Sequence, residues 1–104
     1  MSDFVRVGRM QDFEDGVIQR FEIHGEDVAV VNWRDRFFAF DDHCTHWGVS
    51  LQNGYITKDN EICCLFHYAV FDMATGKALD GPAHDDLTVY EVRIEGEDVL
   101  VGRR

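Results

Sequence analysis

Short runs of alternating apolar and polar residues, separated by polar turns, fill most of the chain, and this alternation predicts strands. The predicted strands are Phe4–Val7, Val17–Ile23, Val28–Trp33, Arg36–Phe40, Ser50–Ile56, Glu61–Leu65, Ala69–Met73, Lys77–Leu79, Leu87–Ile94 and Val99–Val101. A helical period of apolar residues extends over no more than a single turn, at Met10–Phe13. Many short strands with closely spaced turns predict an all-β sandwich or barrel.

The predicted hairpin turns differ in whether they contain a glycine, the residue that most clearly indicates a tight turn. Gly76 and Gly96 lie in two of them. Arg34-Asp35 joins two predicted strands without a glycine, so the sequence leaves the type of that turn open.

Length, charge and cysteine content limit the class of protein. We expect the 104 residues, 1–104, to form a single domain. The formal charge of −10 disfavours a nucleic-acid partner and suits brief docking on a basic protein surface. Three cysteines, an odd number, fit a reducing cytoplasm better than a disulfide framework. No apolar stretch approaches the length of a membrane span or a signal sequence, so we expect neither.

Two short motifs carry the candidate chemistry. They are Cys44-Thr45-His46 and Cys64-Leu65-Phe66-His67, with 17 residues between His46 and Cys64. Each motif supplies one thiolate and one imidazole, and both fall in predicted loops between strands. Two cysteines on one iron and two histidines on the other form the ligand set of one class of [2Fe–2S] centre. The motifs therefore predict an electron carrier.

These motifs, together with Gly48 and Gly81-Pro82-Ala83, resemble the Rieske family over nearly the whole chain. The resemblance implies a Rieske-type antiparallel β-sandwich or barrel with a cluster-binding subdomain formed by loops at one end. The cluster-binding insertion would cover about residues 43–71, and a third loop, about residues 80–84, would cover the cluster.

The resemblance also implies one [2Fe–2S] cluster held by Cys44, His46, Cys64 and His67. Leu65 and Tyr68 depart from the proline and glycine that many members have at those positions. Cys63 adjoins the second ligand cysteine, which leaves open a register with Cys63 as ligand. That register would make a Cys-x3-His motif, which fits the family loop less well.

Four positions distinguish types within the family. Val49 and Phe66 stand where respiratory-complex members have the cysteines of a loop-bridging disulfide, and Ala69 and Phe71 replace a serine and a tyrosine that hydrogen-bond the cluster in those relatives. Fewer hydrogen bonds to cluster sulfur lower the potential, so we expect a value near the low end of the range of about −150 to +300 mV.

The chain accordingly resembles the ferredoxins of bacterial ring-hydroxylating dioxygenase systems. That likeness implies a protein without catalysis or a small-molecule substrate of its own, which passes single electrons from a flavoprotein reductase to a terminal oxygenase. The histidine-bound iron would lie outermost. We therefore expect electron exit at His46 and His67, with Trp47, Tyr68 and Pro82 in the docking rim.

Two alternatives stay open at this point. One is a small Rieske subunit of a complex resembling nitrite reductase. The other is a structural zinc module with two cysteines and two histidines, although zinc modules usually pair two cysteines and two histidines in separate short motifs. A zinc protein is colourless, whereas a ferric Rieske centre is red-brown.

Overall fold

The computed structural model describes residues 4–43, 50–64, 69–80 and 86–103, and these residues form two antiparallel sheets. Short 3₁₀ turns cover Met10–Asp12 and Leu51–Asn53. The strands are β1 (Val5–Arg9), β2 (Ile18–Ile23), β3 (Glu26–Trp33), β4 (Arg36–Asp41), β5 (Tyr55–Ile56), β6 (Glu61–Cys63), β7 (Val70–Asp72), β8 (Ala78–Asp80), β9 (Val89–Glu95) and β10 (Asp98–Arg103). The predicted all-β fold is confirmed. No helix within the described ranges is long and apolar enough to cross a membrane.

The strand order shows how the smaller sheet is joined to the larger one. The larger sheet has the order β1-β10-β9-β4-β3-β2, and the smaller has the order β5-β6-β7-β8. Since β4 pairs with β9, the smaller sheet is an insertion between two neighbouring strands of the larger. It extends through β8, and the predicted cluster-binding insertion over about residues 43–71 stays a prediction. The single domain over 1–104 stays a prediction.

Strand β3, which lies between β4 and the edge strand β2, is buried on both faces over residues 28–31. Val28, Ala29, Val30 and Val31 are all fully shielded from solvent. Alternate residues of this run enter two different clusters, which explains why it reads as continuously apolar and not as alternating.

Those two clusters are the cores of the molecule. One lies on one face of the larger sheet, and we call it the barrel core: Phe13, Ile23, Val28, Val30, Ala39, Val99 and Val101. The other joins the larger sheet to the smaller, and we call it the intersheet core: Ile18, Ala29, Val31, Phe38, Phe40, Leu51, Ile62, Cys64, Ala69, Phe71, Met73 and Leu87.

The turn at Arg34-Asp35 belongs to the tight type whose two central residues are both left-handed. The φ angles are 54° and 64°, and Trp33 pairs directly with Arg36 across the turn. A two-residue hairpin of this kind matches the right-handed twist of its strands, even though glycine or asparagine is favoured there. The Arg34 backbone N–H donates to Asp15 Oδ1 at 2.6 Å, which holds the turn against the preceding loop.

One predicted strand is wrong over its first half. The segment Ser50–Ile56 begins as a 3₁₀ turn, and only Tyr55–Ile56 is strand. Ser50 Oγ accepts the Gln52 N–H at 3.2 Å, so this side chain caps a turn that competes with ladder pairing. Leu51 is thereby directed into the intersheet core.

Candidate metal centre

Cys64 lies at the base of the second motif, directly after β6. Its backbone N–H donates to the Ala69 carbonyl at 2.9 Å, so the chain is paired on both sides of residues 65–68. Its side chain is 1% exposed and belongs to the intersheet core with Ile62 and Ala69. Cys64 is therefore held in a fixed, dry position where the second motif begins.

Cys63 has different surroundings although it is the next residue. It is the last residue of β6, paired with Tyr55 on one side and Val70 on the other. Successive strand residues face opposite sides of a sheet, so its side chain points away from the face that carries Ile62 and Cys64. Burial raises the pKa of the Cys63 thiol, against the lowering effect of a hydrogen bond with Tyr55.

Backbone pairing also brackets the first motif. His43 and Ser50, the residues on either side of 44–49, pair with each other in an antiparallel bridge. Asp42 is buried beneath this bridge and accepts hydrogen bonds from Ser50 and Gln52. His43 Nε2 lies 3.1 Å from Asp27 Oδ2 at the start of β3.

Two contacts fix the ends of the third segment, residues 81–85. Asp86 Oδ1 accepts the Ala78 N–H at 2.9 Å, and the Leu87 N–H donates to the Gly76 carbonyl at 2.6 Å. Asp86 and Leu87 therefore dock on the β7–β8 hairpin. The strand predicted from Leu87 onward is wrong over its first two residues, since β9 begins at Val89.

The three segments share one buried neighbourhood. Leu51 follows the first, Cys64 and Ala69 flank the second, and Leu87 follows the third; all four belong to the intersheet core. The fold thus gathers the flanks of both motifs and of the predicted third loop around one cluster of apolar side chains.

Most of the predicted site residues are not among those that the structure describes. Of the four predicted ligands, Cys64 is described. The others, and the predicted docking residues, lie outside the described ranges: Cys44, His46, His67, Trp47, Tyr68 and Pro82.

An open cleft of about 440 Å³ lies at the end of the larger sheet where β4 ends. It is lined by Glu26, Asp41, Thr88, Tyr90 and Arg103. Burial is the largest influence that raises the pKa of Asp41 and of Tyr90, and the charge of Glu26 adds to both increases. Sequence analysis did not identify this cleft, because its residues come from β3, β4, β9 and β10 and from Thr88, and form no motif along the chain.

The described residues around Cys64 are compatible with a thiolate ligand of an iron–sulfur cluster at that position. Cys64 presents a soft sulfur donor at a point where the surrounding side chains exclude water. Ala69 and Phe71, both fully buried, place no hydroxyl group beside it. This is the setting expected for a centre with few hydrogen bonds to its sulfurs.

Comparison with known proteins identifies the family. The family model for the Rieske [2Fe-2S] domain matches residues 3–91. The 3-phenylpropionate/cinnamic acid dioxygenase ferredoxin subunit of Shigella boydii is 40% identical over 74 residues, which cover 71% of this chain and 70% of that protein.

Solved structures agree. The ferredoxin of carbazole 1,9a-dioxygenase from Nocardioides aromaticivorans superimposes with a TM-score of 0.92 at 29% identity, covering 97% of this chain and 98% of that one. A chain in the complex of reduced oxygenase and oxidized ferredoxin of carbazole 1,9a-dioxygenase has a TM-score of 0.88 at 31% identity, covering 98% and 94%.

The chain belongs to the Rieske [2Fe-2S] domain family, and its cofactor is one [2Fe–2S] cluster of the Rieske type. Within that family it is a ferredoxin, an electron-transfer component and not itself a catalyst, as the sequence predicted.

Proposed function

We propose that this ferredoxin carries single electrons from a flavoprotein reductase to the terminal oxygenase of a ring-hydroxylating dioxygenase system in the cytoplasm. The observation that carries the proposal is its likeness, over 97% of the chain, to the ferredoxin of a dioxygenase. The likeness to a chain from an oxygenase–ferredoxin complex supports the oxygenase as partner. The reductase and the cytoplasmic location rest on the family resemblance and on the odd number of cysteines.

The proposed ligands are Cys44, His46, Cys64 and His67. Cys64 is favoured over Cys63 because it follows the last paired residue of β6 and faces the core that the three segments share. When bound, the cluster supplies a one-electron couple. The chain itself holds the ligands in place, excludes water around Cys64 and leaves out hydroxyl groups at Ala69 and Phe71.

The two adjacent cysteines provide a matched test of the ligands. We expect Cys64→Ser to lose iron, acid-labile sulfide and the visible spectrum, because hydroxyl is a poor substitute for the thiolate that iron–sulfur clusters require. Cys63→Ser should retain all three. Equal retention in both variants, or loss in Cys63→Ser alone, would overturn the proposed register.

Reconstitution tests the proposed pathway. The purified holoprotein is mixed with the reductase and oxygenase of a related dioxygenase, and stopped-flow absorbance follows its reduction and reoxidation. We expect reduction by the flavoprotein reductase, supplied with its own reductant, and then reoxidation by the oxygenase within the turnover time. A protein that exchanges electrons with a nitrite reductase flavoprotein and with neither dioxygenase component would instead support the small-subunit alternative.

A further inference from the structure

Asp42 is the charged side chain that lies fully buried among the described residues, with 0% of it exposed. It stands between the end of β4 and His43, two positions before Cys44. A carboxylate taken out of water costs several kcal/mol unless hydrogen bonds and opposite charge compensate. Its contacts therefore indicate what it does there.

The contacts of Asp42 join the two ends of the first motif segment. Its Oδ2 accepts the Ser50 Oγ–H at 2.7 Å, and its Oδ1 accepts the Gln52 N–H at 3.0 Å. Its backbone carbonyl accepts the Leu51 N–H, and its own N–H donates to the Asp27 carbonyl at 3.0 Å. One residue thus connects the strand that enters the segment with the turn that leaves it.

The positive charge near Asp42 is distant and partly solvated. Arg20 Nη1 lies 3.8 Å from Asp42 Oδ2, and the Arg20 side chain is 49% exposed. Because the Asp42 end of this pair is fully buried and the contact is long, the carboxylate is compensated mainly by its hydrogen bonds. Replacing buried ionic groups by apolar side chains is often neutral or stabilising, so stability alone does not account for a carboxylate at this position.

We propose that Asp42 is a positioning residue for the first pair of ligands. Its carboxylate holds Ser50 and Gln52, which follow the first motif segment, against the end of β4, which precedes it, and its buried negative charge lowers the reduction potential. The inference rests on the proposed ligand set. It goes beyond that set because neither the ligand motifs nor the family match assigns a role to Asp42.

The first measurement is the reduction potential of Asp42→Asn in the holoprotein. Asparagine keeps the shape, can still accept the Gln52 N–H and can donate to Ser50 Oγ, but it removes the charge. Reduction adds negative charge to the cluster, so we expect the equilibrium to shift about tenfold toward the reduced form, an increase of about 59 mV for a one-electron couple.

Asp15→Asn is the matched control for that measurement. Asp15 also accepts a backbone N–H, from Arg34 at 2.6 Å, but it lies at the far end of the β3–β4 hairpin. Six residues of β4 separate that turn from Asp42, a distance of roughly 20 Å. We expect no measurable change in the potential of Asp15→Asn. If net charge alone set the potential, Asp15→Asn and Asp42→Asn would shift it equally.

The second measurement is the rate of cluster loss in the presence of an iron chelator, followed by visible absorbance. We expect Asp42→Ala and Ser50→Ala each to lose the cluster several-fold faster than the wild type. The two side chains share one hydrogen bond. The double variant should therefore lose the cluster more slowly than predicted by multiplying the rate increases of the two single variants. Such coupling would show that the two side chains act through their shared hydrogen bond, and the potential of Asp42→Asn, which a loss of stability alone would not move, separates positioning from structural weakening.

The outcomes separate this inference from the proposed function. A wild-type protein without a Rieske EPR spectrum would overturn both. The positioning role alone would be overturned by three results together: the wild type shows that spectrum, Asp42→Asn and Asp15→Asn have equal potentials, and the double variant shows independent effects. If Asp42→Ala fails to fold, the potential of Asp42→Asn decides the inference.

Discussion

Cys63 and Cys64 illustrate what one residue of register means in a strand. The sequence alone left the choice of ligand open between these two adjacent cysteines. Burial does not decide it either, because both are buried. The ladder pairs Cys63 with Tyr55 and Val70, whereas Cys64 has left the ladder and bonds the Ala69 carbonyl. The two thiols lie on opposite faces because side chains alternate along a strand. The sequence could not show which cysteine faces the core, because the strand is short and its end was not defined.

Asp42 was not predicted as a site residue, for a physical reason. Two adjacent aspartates usually indicate a solvated turn, since aspartate is rarely buried without partners. The partners of Asp42, Ser50 and Gln52, lie eight and ten residues further along the chain. Only the chain reversal at the His43–Ser50 bridge brings them together.

The absence of a hydroxyl at position 69 leads to a prediction about the potential. Ala69→Ser adds a donor beside Cys64, and we expect it to raise the reduction potential. A donor worth about 1.4 kcal/mol to the reduced state corresponds to about 60 mV. Protein-film voltammetry measures it.

Ala29→Ser serves as the control, because Ala29 is equally buried in the intersheet core but lies on β3. Its hydroxyl should reduce stability without moving the potential. The explanation by hydrogen bonding would be wrong if both variants shifted the potential alike.

Asp41 gives a prediction for the pH dependence of stability. Burial, the largest influence, raises its pKa above 3.8, assisted by Glu26 and Asp42 and opposed by His43. The folded state therefore binds this proton more tightly than the unfolded state. Its contribution is fully present below pH 3.8 and is lost as the pH rises through the folded-state pKa. The difference in melting temperature between Asp41→Asn and the wild type should consequently change in favour of the variant as the pH is raised from about 4 to about 7.

Asp98→Asn is the comparison for Asp41, since Asp98 forms an exposed pair with Arg6 at 2.9 Å. Removing such a pair costs about 0–1 kcal/mol, and it should lower the melting temperature slightly near neutral pH. If Asp41→Asn lost stability relative to the wild type on going to neutral pH, burial would not be the dominant influence on Asp41.

Among the elements, the strands of the larger sheet were predictable and the connections of the smaller sheet were less so. β2, β3 and β4 follow their apolar patterns to within two residues at each end. The error at Ser50–Ile56 arose because the apolar residues of that segment also suit a 3₁₀ turn under a serine cap. Local pattern cannot distinguish a strand from a capped turn over so few residues.

The β7–β8 hairpin carries a close approach that leads to a prediction at this scale. A Cβ atom on Gly76 would lie 1.9 Å from the Leu87 carbonyl oxygen, and Gly76 has a φ of 79°. We expect Gly76→Ala to reduce the free energy of unfolding by about 3 kcal/mol or more, because backbone must move to relieve the contact. It should also release Leu87 from the hairpin.

Substitution of Gly25 measures the cost of a left-handed backbone at a position without a close contact. The φ of Gly25 is 83°, and no atom lies within 4 Å of the position that a Cβ would take. Gly25→Ala should cost about 1–2 kcal/mol, measured by urea denaturation alongside Gly76→Ala. Equal losses in the two variants would show that the Leu87 contact contributes nothing.

At the level of the whole molecule, the class of fold follows from alternation and turn spacing, but the arrangement of strands does not. The insertion of β5–β8 between β4 and β9 joins residues that are distant along the chain. The sequence anticipated an insertion only because its motifs resemble those of a family. The same limit applies to the cleft beside Asp41, whose residues come from four strands and a connecting segment.

The net charge of −10 predicts how electron transfer responds to salt. The Debye length falls from about 30 Å at 0.01 M to about 8 Å at 0.15 M ionic strength. The second-order rate constant for reaction with a basic partner should therefore fall as salt is added. Stopped-flow measurements with the reductase and with the oxygenase test each partner separately.

The location of the charge can be tested with two glutamates. Glu26 lines the cleft at the end of the larger sheet from which β4 leads to the first motif, whereas Glu97 lies in the β9–β10 turn at the other end of that sheet. We expect Glu26→Gln to reduce the rate constant at low salt more than Glu97→Gln does. Equal effects would mean that total charge, and not the face near the motifs, steers the encounter.

The barrel core has a consequence for biogenesis. None of its seven residues lies within two positions of residues 44–49, 65–68 or 81–85, whereas four residues of the intersheet core do. The barrel-core face of the larger sheet can consequently complete its packing before iron and sulfide are delivered. The assembly machinery would then meet a largely folded apoprotein, in which insertion of the prosthetic group consolidates the second half of the molecule.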